Sequence, residues 1–165
     1  MRGMGGRAMT VSTLAISMAT VSFAQSPLET IRGNYRRMTA AYVGKDTNQF
    51  LSHFAPVVVS QAGSGGRVTR TEFAANLNNL FQQAEKVQIV YKIQSYQAGS
   101  ETVIVTVRSS RIFLLKLDGQ RSVREGTTDI KHTWKLRNGR WEISEINRLG
   151  APGYSRRANS SYYWI

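Results

Sequence analysis

The second half of the chain alternates apolar and polar residues over long runs separated by short turns, a pattern that few folds satisfy. The runs span residues 87–97, 101–116, 121–137 and 140–149, and two of the breaks are Asp118-Gly119 and Asn138-Gly139. Dipeptides of this kind are typical of two-residue β-hairpin turns, whose central residues need a positive φ. The sequence therefore predicts four long antiparallel strands that follow one another in chain order.

Three helical segments precede these strands, and each has its own start signal. Ser26-Pro27-Leu28-Glu29 combines a capping box with proline at the first helical position, and apolar residues then recur every three or four residues until Gly44. Asp46 is placed to cap a short second helix that Pro56 stops, and Thr69-Arg70-Thr71-Glu72 is the capping box of a third. We expect Asp46 to be a helix cap and not a catalytic acid.

The order of these elements indicates the fold class. A β-branched run at 57–59 predicts a short strand, and the glycine-rich stretch 63–66 predicts a loop before the third helix. Helices first and a strand meander afterwards indicate an α+β fold. We expect three N-terminal helices packed on one face of a strongly curved antiparallel sheet.

The first 24 residues have the features of a signal peptide. Arg2 and Arg7 give a positive start, residues 11–21 are mildly apolar and uncharged, and Ser22-Phe23-Ala24 fits the small-x-small cleavage pattern. The alternatives are an uncleaved anchor or a disordered leader. The predicted organisation is a signal peptide at 1–24, one domain at 25–150 and an irregular tail at 151–165, with the mature protein in the periplasm or secreted and without a transmembrane anchor.

Composition narrows the chemistry that the chain can perform. The absence of cysteine excludes disulfides, thiolate metal sites and cysteine nucleophiles, and two histidines on distant segments favour neither a metal site nor another cofactor. The net charge is +12, and loss of Arg2 and Arg7 with the signal peptide leaves +10. Such an excess favours anionic partners, but the basic residues are dispersed along the chain. We expect no nucleic-acid partner and no cofactor.

Four segments carry a resemblance to a known family: Tyr42-Val43-Gly44-Lys45-Asp46, Phe54-Ala55-Pro56, Thr71-Glu72-Phe73, and the hairpin from Trp134 to Trp141. Together with the order of elements over residues 28–149, they resemble the nuclear transport factor 2-like superfamily. This cone-shaped fold is shared by ketosteroid isomerase, scytalone dehydratase and SnoaL-like polyketide cyclases. The resemblance implies a pocket enclosed by the sheet and helices, and the predicted signal peptide makes this chain an exported member. It does not imply one activity, because the fold hosts enzymes, binding modules and oligomerisation domains.

The two predicted hairpin turns allow strand register to be calculated. If Asn138-Gly139 is a two-residue turn, the facing pairs on strands three and four are Trp134 with Ile143, His132 with Glu145, and Ile130 with Asn147. If Asp118-Gly119 is another, Val103 faces Trp134, Val105 faces His132 and Val107 faces Ile130. We expect a β-bulge at Ser109-Ser110, opposite Gly126. His132 and Glu145 are thus predicted to form a polar pair on the concave face.

The same register predicts the composition of the opposite, outer face of the sheet. Charged residues are expected there as a ladder of Arg108, Asp129 and Arg148 with Lys135 and Glu142, together with the apolar Ile104 and Ile146. The family resemblance makes this face the candidate surface of a homodimer.

Three functional hypotheses follow from these placements. The first is a binding site for a small hydrophobic or amphipathic molecule, lined by Tyr35, Met38, Tyr42, Phe54, Phe81, Val105, Ile130, Trp134 and Asn147. The second is a SnoaL-like or isomerase-like enzyme in which His132 and Glu145 are catalytic and transfer protons. The enzymatic relatives commonly carry a base after the second helix, whereas this chain has Val57-Val58-Val59-Ser60-Gln61. The third hypothesis is an oligomerisation module without a ligand.

The signal-peptide prediction can be checked on the mature protein. When the full sequence is expressed in an exporting host, we expect the mature chain to begin at Gln25. Intact-mass measurement of the exported protein identifies its first residue. A retained Met1 or a start well beyond Gln25 would contradict the predicted cleavage.

Overall fold

The structure is a computed structural model that describes residues 26–61, 66–117 and 120–154. Its helices are α1 (Pro27–Val43), α2 (Thr47–Leu51) and α3 (Arg70–Gln83). Its strands are β1 (Phe54–Ser60), β2 (Gly66–Thr69), β3 (Ala84–Ala98), β4 (Thr102–Leu117), β5 (Gln120–Arg137) and β6 (Arg140–Tyr154). Over the described part of the chain, no helix is both long and apolar enough to span a bilayer.

The helices begin at the predicted residues because side chains satisfy their first backbone amides. Ser26 Oγ accepts the N–H of Glu29, and a carboxylate oxygen of Asp46 accepts the N–H of Gln49 at 2.9 Å. At the start of α3, the capping box between Thr69 and Glu72 is complete in both directions. All three predicted caps are confirmed, and Asp46 is a cap residue.

The six strands form one sheet in the order β2-β1-β6-β5-β4-β3. Neighbouring strands are antiparallel except β1 and β6, which are parallel. The α+β class with N-terminal helices is confirmed. Strand β2 was not predicted, because its four residues follow the glycine-rich stretch directly and show no clear alternation.

The register between β4 and β5 is as predicted. Val103 lies opposite Trp134, Val105 opposite His132 and Val107 opposite Ile130. The predicted bulge at Ser109-Ser110 is wrong, since the pairing continues without interruption to Arg111 opposite Gly126. An uninterrupted β4 keeps every second residue, from Val103 to Arg111, on the concave face.

Two of the pairs predicted between β5 and β6 differ from the pairs in the structure. Trp134 lies opposite Ile143 as predicted. Thr133, which precedes Trp134 on β5, lies opposite Glu145. Ser144 is therefore the extra residue of a β-bulge, and its Oγ donates a hydrogen bond to the Thr133 carbonyl at 3.1 Å. His132 consequently faces Ile146, and the predicted His132–Glu145 pair is wrong.

The bulge reverses the faces of the residues that follow it on β6. Glu145 and Asn147 lie opposite Thr133 and Lys131, not opposite His132 and Ile130 as predicted. Ile146, which was predicted on the outer face, is buried in the core instead. Glu145, Ile146 and Asn147 all change faces, because a one-residue shift in a strand moves a side chain to the other side of the sheet.

The outer-face ladder is confirmed in part. Arg108 lies opposite Asp129 and donates two hydrogen bonds to its carboxylate, at 2.9 and 3.0 Å. Lys135 lies opposite Glu142 as predicted. Asp129 faces Leu149, so Arg148 does not continue the ladder. The bulge accounts for this change as well.

The two ends of the chain differ in how much of the predicted domain organisation falls within the described residues. Strand β6 continues to Tyr154, so the prediction that 151–154 are irregular is wrong. The rest of the tail and the predicted signal peptide at 1–24 lie outside the described residues, as does most of the predicted loop at 63–66.

The Asn138-Gly139 turn provides a test of local strain. Asn138 and Gly139 have φ values of 49° and 74°, and a Cβ at Gly139 would meet no atom within 4 Å. Gly139→Ala should therefore destabilise the protein by about 1 kcal/mol through the backbone alone. Chemical denaturation measures the change in the free energy of unfolding.

Gly33→Ala is the matched control for this substitution. Gly33 lies within α1, where an added Cβ makes ordinary contact with the Arg37 side chain at 3.6 Å. Alanine there should stabilise the protein by about 0.5 kcal/mol or more. Equal effects of the two substitutions would contradict the assignment of strain to the turn.

Candidate functional site

Three buried side chains from two distant parts of the chain form a hydrogen-bonded row. Trp134 Nε1 donates to the Tyr35 hydroxyl oxygen at 3.1 Å, and the same hydroxyl lies 2.8 Å from Nδ1 of His132. Tyr35 comes from α1, whereas Trp134 and His132 are two residues apart on β5 and so point to the same side of the sheet. The row fixes α1 over the centre of the concave face.

The partners of the Tyr35 hydroxyl indicate which nitrogen of His132 carries a proton. The Tyr35 oxygen accepts the indole N–H of Trp134, and among the described residues Nδ1 of His132 is the one acceptor in reach of the Tyr35 proton, so we assign that proton to Nδ1. Nδ1 must then be unprotonated in the neutral ring, which places the proton on Nε2. His132 therefore presents Nε2–H as a donor to its other side.

His132 is neutral because its surroundings oppose the imidazolium form. Its side chain is 3% exposed, and burial, aided by the nearby charge of Arg111, lowers its pKa from 6.5 to about 3. Burial also raises the pKa of the Tyr35 hydroxyl far above its usual range, so Tyr35 stays protonated and able to donate. Both effects favour the neutral Nε2–H form at pH 7.

His132 lines a cavity, and because Tyr35 occupies Nδ1, Nε2 is the ring nitrogen left to face it. No described residue makes a hydrogen bond to this atom, although the Nδ1 side is occupied by Tyr35. In the described part of the chain, the one fully buried side-chain nitrogen or oxygen that lacks a partner is Nε of Arg70. Nε2 therefore keeps contact with open space, and His132 is among the residues that line the cavity.

The cavity lies between the helices and the concave face and is partly open to solvent. Its volume is about 60 Å³, and its lining residues are Tyr42, Phe50, Phe54, Phe73, Asn76, Leu77, Leu80, Ile89, Tyr91, Arg111, Ile130, His132 and Ile146. Most of these side chains are aromatic or aliphatic. Edge contacts between neighbouring rings, such as Phe54 with Phe73 at 5.2 Å, fix the shape of the apolar wall.

The polar groups that described residues contribute to the wall are amide, guanidinium, imidazole and hydroxyl groups, with no carboxylate among them. Besides His132, they are Asn76, Arg111 and the hydroxyls of Tyr42 and Tyr91. Burial raises the pKa of Tyr42 to about 12, although the Arg111 charge acts in the opposite direction. At pH 7 the wall thus carries one guanidinium charge and neutral hydrogen-bonding groups.

Four of the predicted site residues line this cavity: Tyr42, Phe54, Ile130 and His132. Five others are buried in the core, namely Tyr35, Met38, Phe81, Val105 and Trp134. Tyr35 and Trp134 act on the cavity indirectly, through His132. Glu145 and Asn147 lie away from the cavity wall, and the Glu145 carboxylate accepts a hydrogen bond from Nε2 of Gln61.

Arg111 is the main cavity residue that the sequence reasoning missed. Strict alternation from Val103 through Val105, Val107 and Ser109 places Arg111 on the concave face, but the expected bulge at Ser109-Ser110 interrupts that reasoning. Tyr91 could have been found in the same way, by alternation from Val87 and Ile89. The residues of α3 carry no such signal, since a cavity wall and a packed core need the same apolar stripe.

The second histidine lies elsewhere. His53 is 8% exposed, and burial with the charges of Arg37 and Arg140 lowers its pKa to about 4. Within the described ranges, no three side chains among His, Cys, Asp and Glu lie close enough together to hold a metal ion.

The neutral state of His132 makes the stability of the protein depend on pH. The unfolded chain takes up a proton near the ordinary pKa of 6.5, whereas the folded chain resists until about pH 3. Stability present above pH 6.5 is thus lost as the pH falls, by about 1.4 kcal/mol per pH unit well below that value. Urea denaturation between pH 7 and 4 measures this slope.

A pair of variants isolates the contribution of His132. His132→Asn keeps an acceptor for Tyr35 but cannot titrate, so its unfolding free energy should fall less steeply with pH than that of the wild type. In the His53→Gln variant, the part of the pH dependence of unfolding free energy that His132 causes should remain. An unchanged slope in His132→Asn would contradict a buried neutral imidazole.

The fold and cavity can be compared with known proteins. No family model and no curated protein sequence matches the chain. Among solved structures, a conserved protein from Planctomyces limnophilus is 16% identical with a TM-score of 0.67, covering 76% of this chain and 96% of its own. A candidate dehydratase of the nuclear transport factor 2-like family from Streptomyces avermitilis is 11% identical with a TM-score of 0.59, covering 73% and 93%.

A third similar structure is a nuclear transport factor 2-like protein of unknown function from Shewanella oneidensis, 13% identical with a TM-score of 0.56, covering 74% of this chain and 98% of its own. Similarity at this level of identity concerns the backbone, and function must be argued from the site. The predicted cone is confirmed: this chain has the nuclear transport factor 2-like fold.

Proposed function

We propose that this protein binds a small amphipathic molecule in the cavity, with a hydrogen-bond acceptor of that molecule on Nε2–H of His132. The observation that carries the proposal is a buried, neutral histidine whose Nδ1 is occupied by Tyr35 and whose Nε2 faces the cavity. A ligand that covers Nε2–H without offering it an acceptor would leave this donor buried and unpaired, at a cost of about 1–3 kcal/mol. The donor is therefore held ready for a partner in the cavity.

The apolar wall selects the rest of the ligand. Phe50, Phe54 and Phe73 are in mutual ring contact, with centroids 5.2–6.4 Å apart, and present a rigid aromatic surface. Each apolar Å² removed from water contributes about 25 cal/mol. A flat or short apolar group with one polar end matches this surface and the His132 donor together.

Proton-transfer catalysis has less support than binding. A general base needs a pKa near the working pH, whereas that of His132 is lowered to about 3. The Glu145 carboxylate is not on the cavity wall, and no described lining residue is an aspartate or glutamate. The alternative that His132 and Glu145 act as a catalytic pair thus loses its geometric basis.

The proposal also covers where the protein is located and whether it forms a dimer. An exported location rests on the sequence of residues 1–24, and binding would then occur in the periplasm or outside the cell. A homodimer through the outer sheet face stays a prediction; Ile146 no longer contributes to it, while Ile104 on β4 still does.

Native mass spectrometry of the protein purified from its own host tests the proposal. We expect a noncovalent adduct of small mass that is released on denaturation. Leu77→Phe, which enlarges a side chain of the cavity wall, should lose the adduct by steric exclusion. Thermal unfolding of both proteins reports whether each variant is folded.

Ile112→Phe is the matched control, because Ile112 is a 40% exposed residue of β4 outside the cavity wall. The same enlargement there should leave the adduct in place. An adduct that Leu77→Phe retains would show that the molecule binds elsewhere, and a protein without any adduct would argue against a tightly held ligand.

A further inference from the structure

Among the described residues that line the cavity, Arg111 is the one with a formal charge. Arg111 lies between Ile89 of β3 and Gly126 of β5 on the concave side of the sheet. Gly126 contributes no side chain to the row beside the guanidinium. An arginine in such a place costs solvation free energy unless an anion accompanies it.

Among the described residues, no carboxylate pairs with Arg111. Its Nε donates to Ser109 Oγ at 3.3 Å, and neither terminal amino group bonds to any described residue. The ion pairs within the described ranges involve Arg32, Arg108 and Arg121 instead. Neither terminal nitrogen is fully buried, because among described side chains only Nε of Arg70 is buried without a partner. Both amino groups are therefore free to meet a ligand.

The positive charge of Arg111 affects the pKa of other residues that line the cavity. It lowers the pKa of three separate lining residues, Tyr42, Tyr91 and His132, although burial dominates the shift of each. These residues come from α1, β3 and β5, so the guanidinium sits where several elements converge. An anionic group among them would meet a positive potential and several hydrogen-bond donors.

We propose that the ligand of this cavity is a carboxylate with an aromatic or short apolar body, whose carboxylate is bound by the terminal amino groups of Arg111 and by Nε2–H of His132. This inference rests on the proposed function and adds the charge of the ligand to it. A planar guanidinium fork matches the two oxygens of a carboxylate, which explains why arginine suits this position. The apolar body then lies against the phenylalanine wall.

Benzoate and benzamide are the probes, because they have nearly the same shape and differ in charge at pH 7. Chemical-shift titration of the ¹⁵N-labelled protein gives both dissociation constants and the residues that respond. We expect benzoate to bind at least about tenfold more tightly than benzamide. Amide signals of Arg111, His132 and neighbouring lining residues should shift with either probe.

Arg111→Gln removes the charge while keeping a polar side chain, and Arg108→Gln is its matched control. Arg108 is on the same strand but lies on the outer face, where it pairs with Asp129. Arg111→Gln should weaken benzoate binding about tenfold or more and change benzamide binding less than about threefold. Arg108→Gln should leave both affinities within about twofold, although it removes the same formal charge.

The outcomes separate the two proposals. Equal affinity of the wild type for both probes would overturn the carboxylate inference and leave an amphipathic binding site standing; this comparison requires no variant to fold. Equal weakening of benzoate by Arg108→Gln and Arg111→Gln would also overturn it, since general surface charge would then explain the preference. If neither probe shifts the cavity signals at millimolar concentration, the proposed function fails together with the inference.

Discussion

The hydrogen-bonded row from Trp134 through Tyr35 to His132 is the interaction on which the rest of the site depends. Tyr35 bridges two side chains of β5 from the overlying helix α1, so it fixes the helix against the sheet and the imidazole ring against the cavity at once. Trp134 can only donate to Tyr35, and the Tyr35 proton has no described acceptor other than Nδ1 of His132, so the neutral ring carries its proton on Nε2. A residue that resembles a catalytic base in the sequence is thereby a neutral donor in the folded protein.

The bulge at Ser144 completes this environment. By placing an extra residue in β6, it brings Ile146 opposite His132 and turns Glu145 toward Gln61. An ionised carboxylate opposite His132 would favour the imidazolium, whereas an aliphatic side chain favours the neutral ring. The bulge and the Tyr35 bridge thus act in the same sense, and Arg111 remains the only formal charge on the described cavity wall.

Local features of the fold were predictable because their causes are local. The caps at Ser26, Asp46 and Thr69 and the turn at Asn138-Gly139 each depend on a few neighbouring residues. The pairing of Trp134 with Ile143 is correct because it lies close to that turn, and the next pairs fail because register depends on every residue in between. The three-residue spacing of Ile143 and Ile146, in a strand that otherwise alternates, is the sequence signal of the bulge. The contact of Tyr35 with His132 joins residues 97 positions apart and has no such signal.

The protonation state of His132 is the central claim, and long-range ¹H–¹⁵N NMR of the imidazole tests it most directly. At pH 5 an ordinary histidine is mostly charged, since its pKa is about 6.5. We expect a neutral His132 ring at this pH, with the proton on Nε2 and Nδ1 unprotonated. An imidazolium signal, or a neutral ring protonated on Nδ1, would contradict it, because neither form accepts the Tyr35 hydroxyl proton.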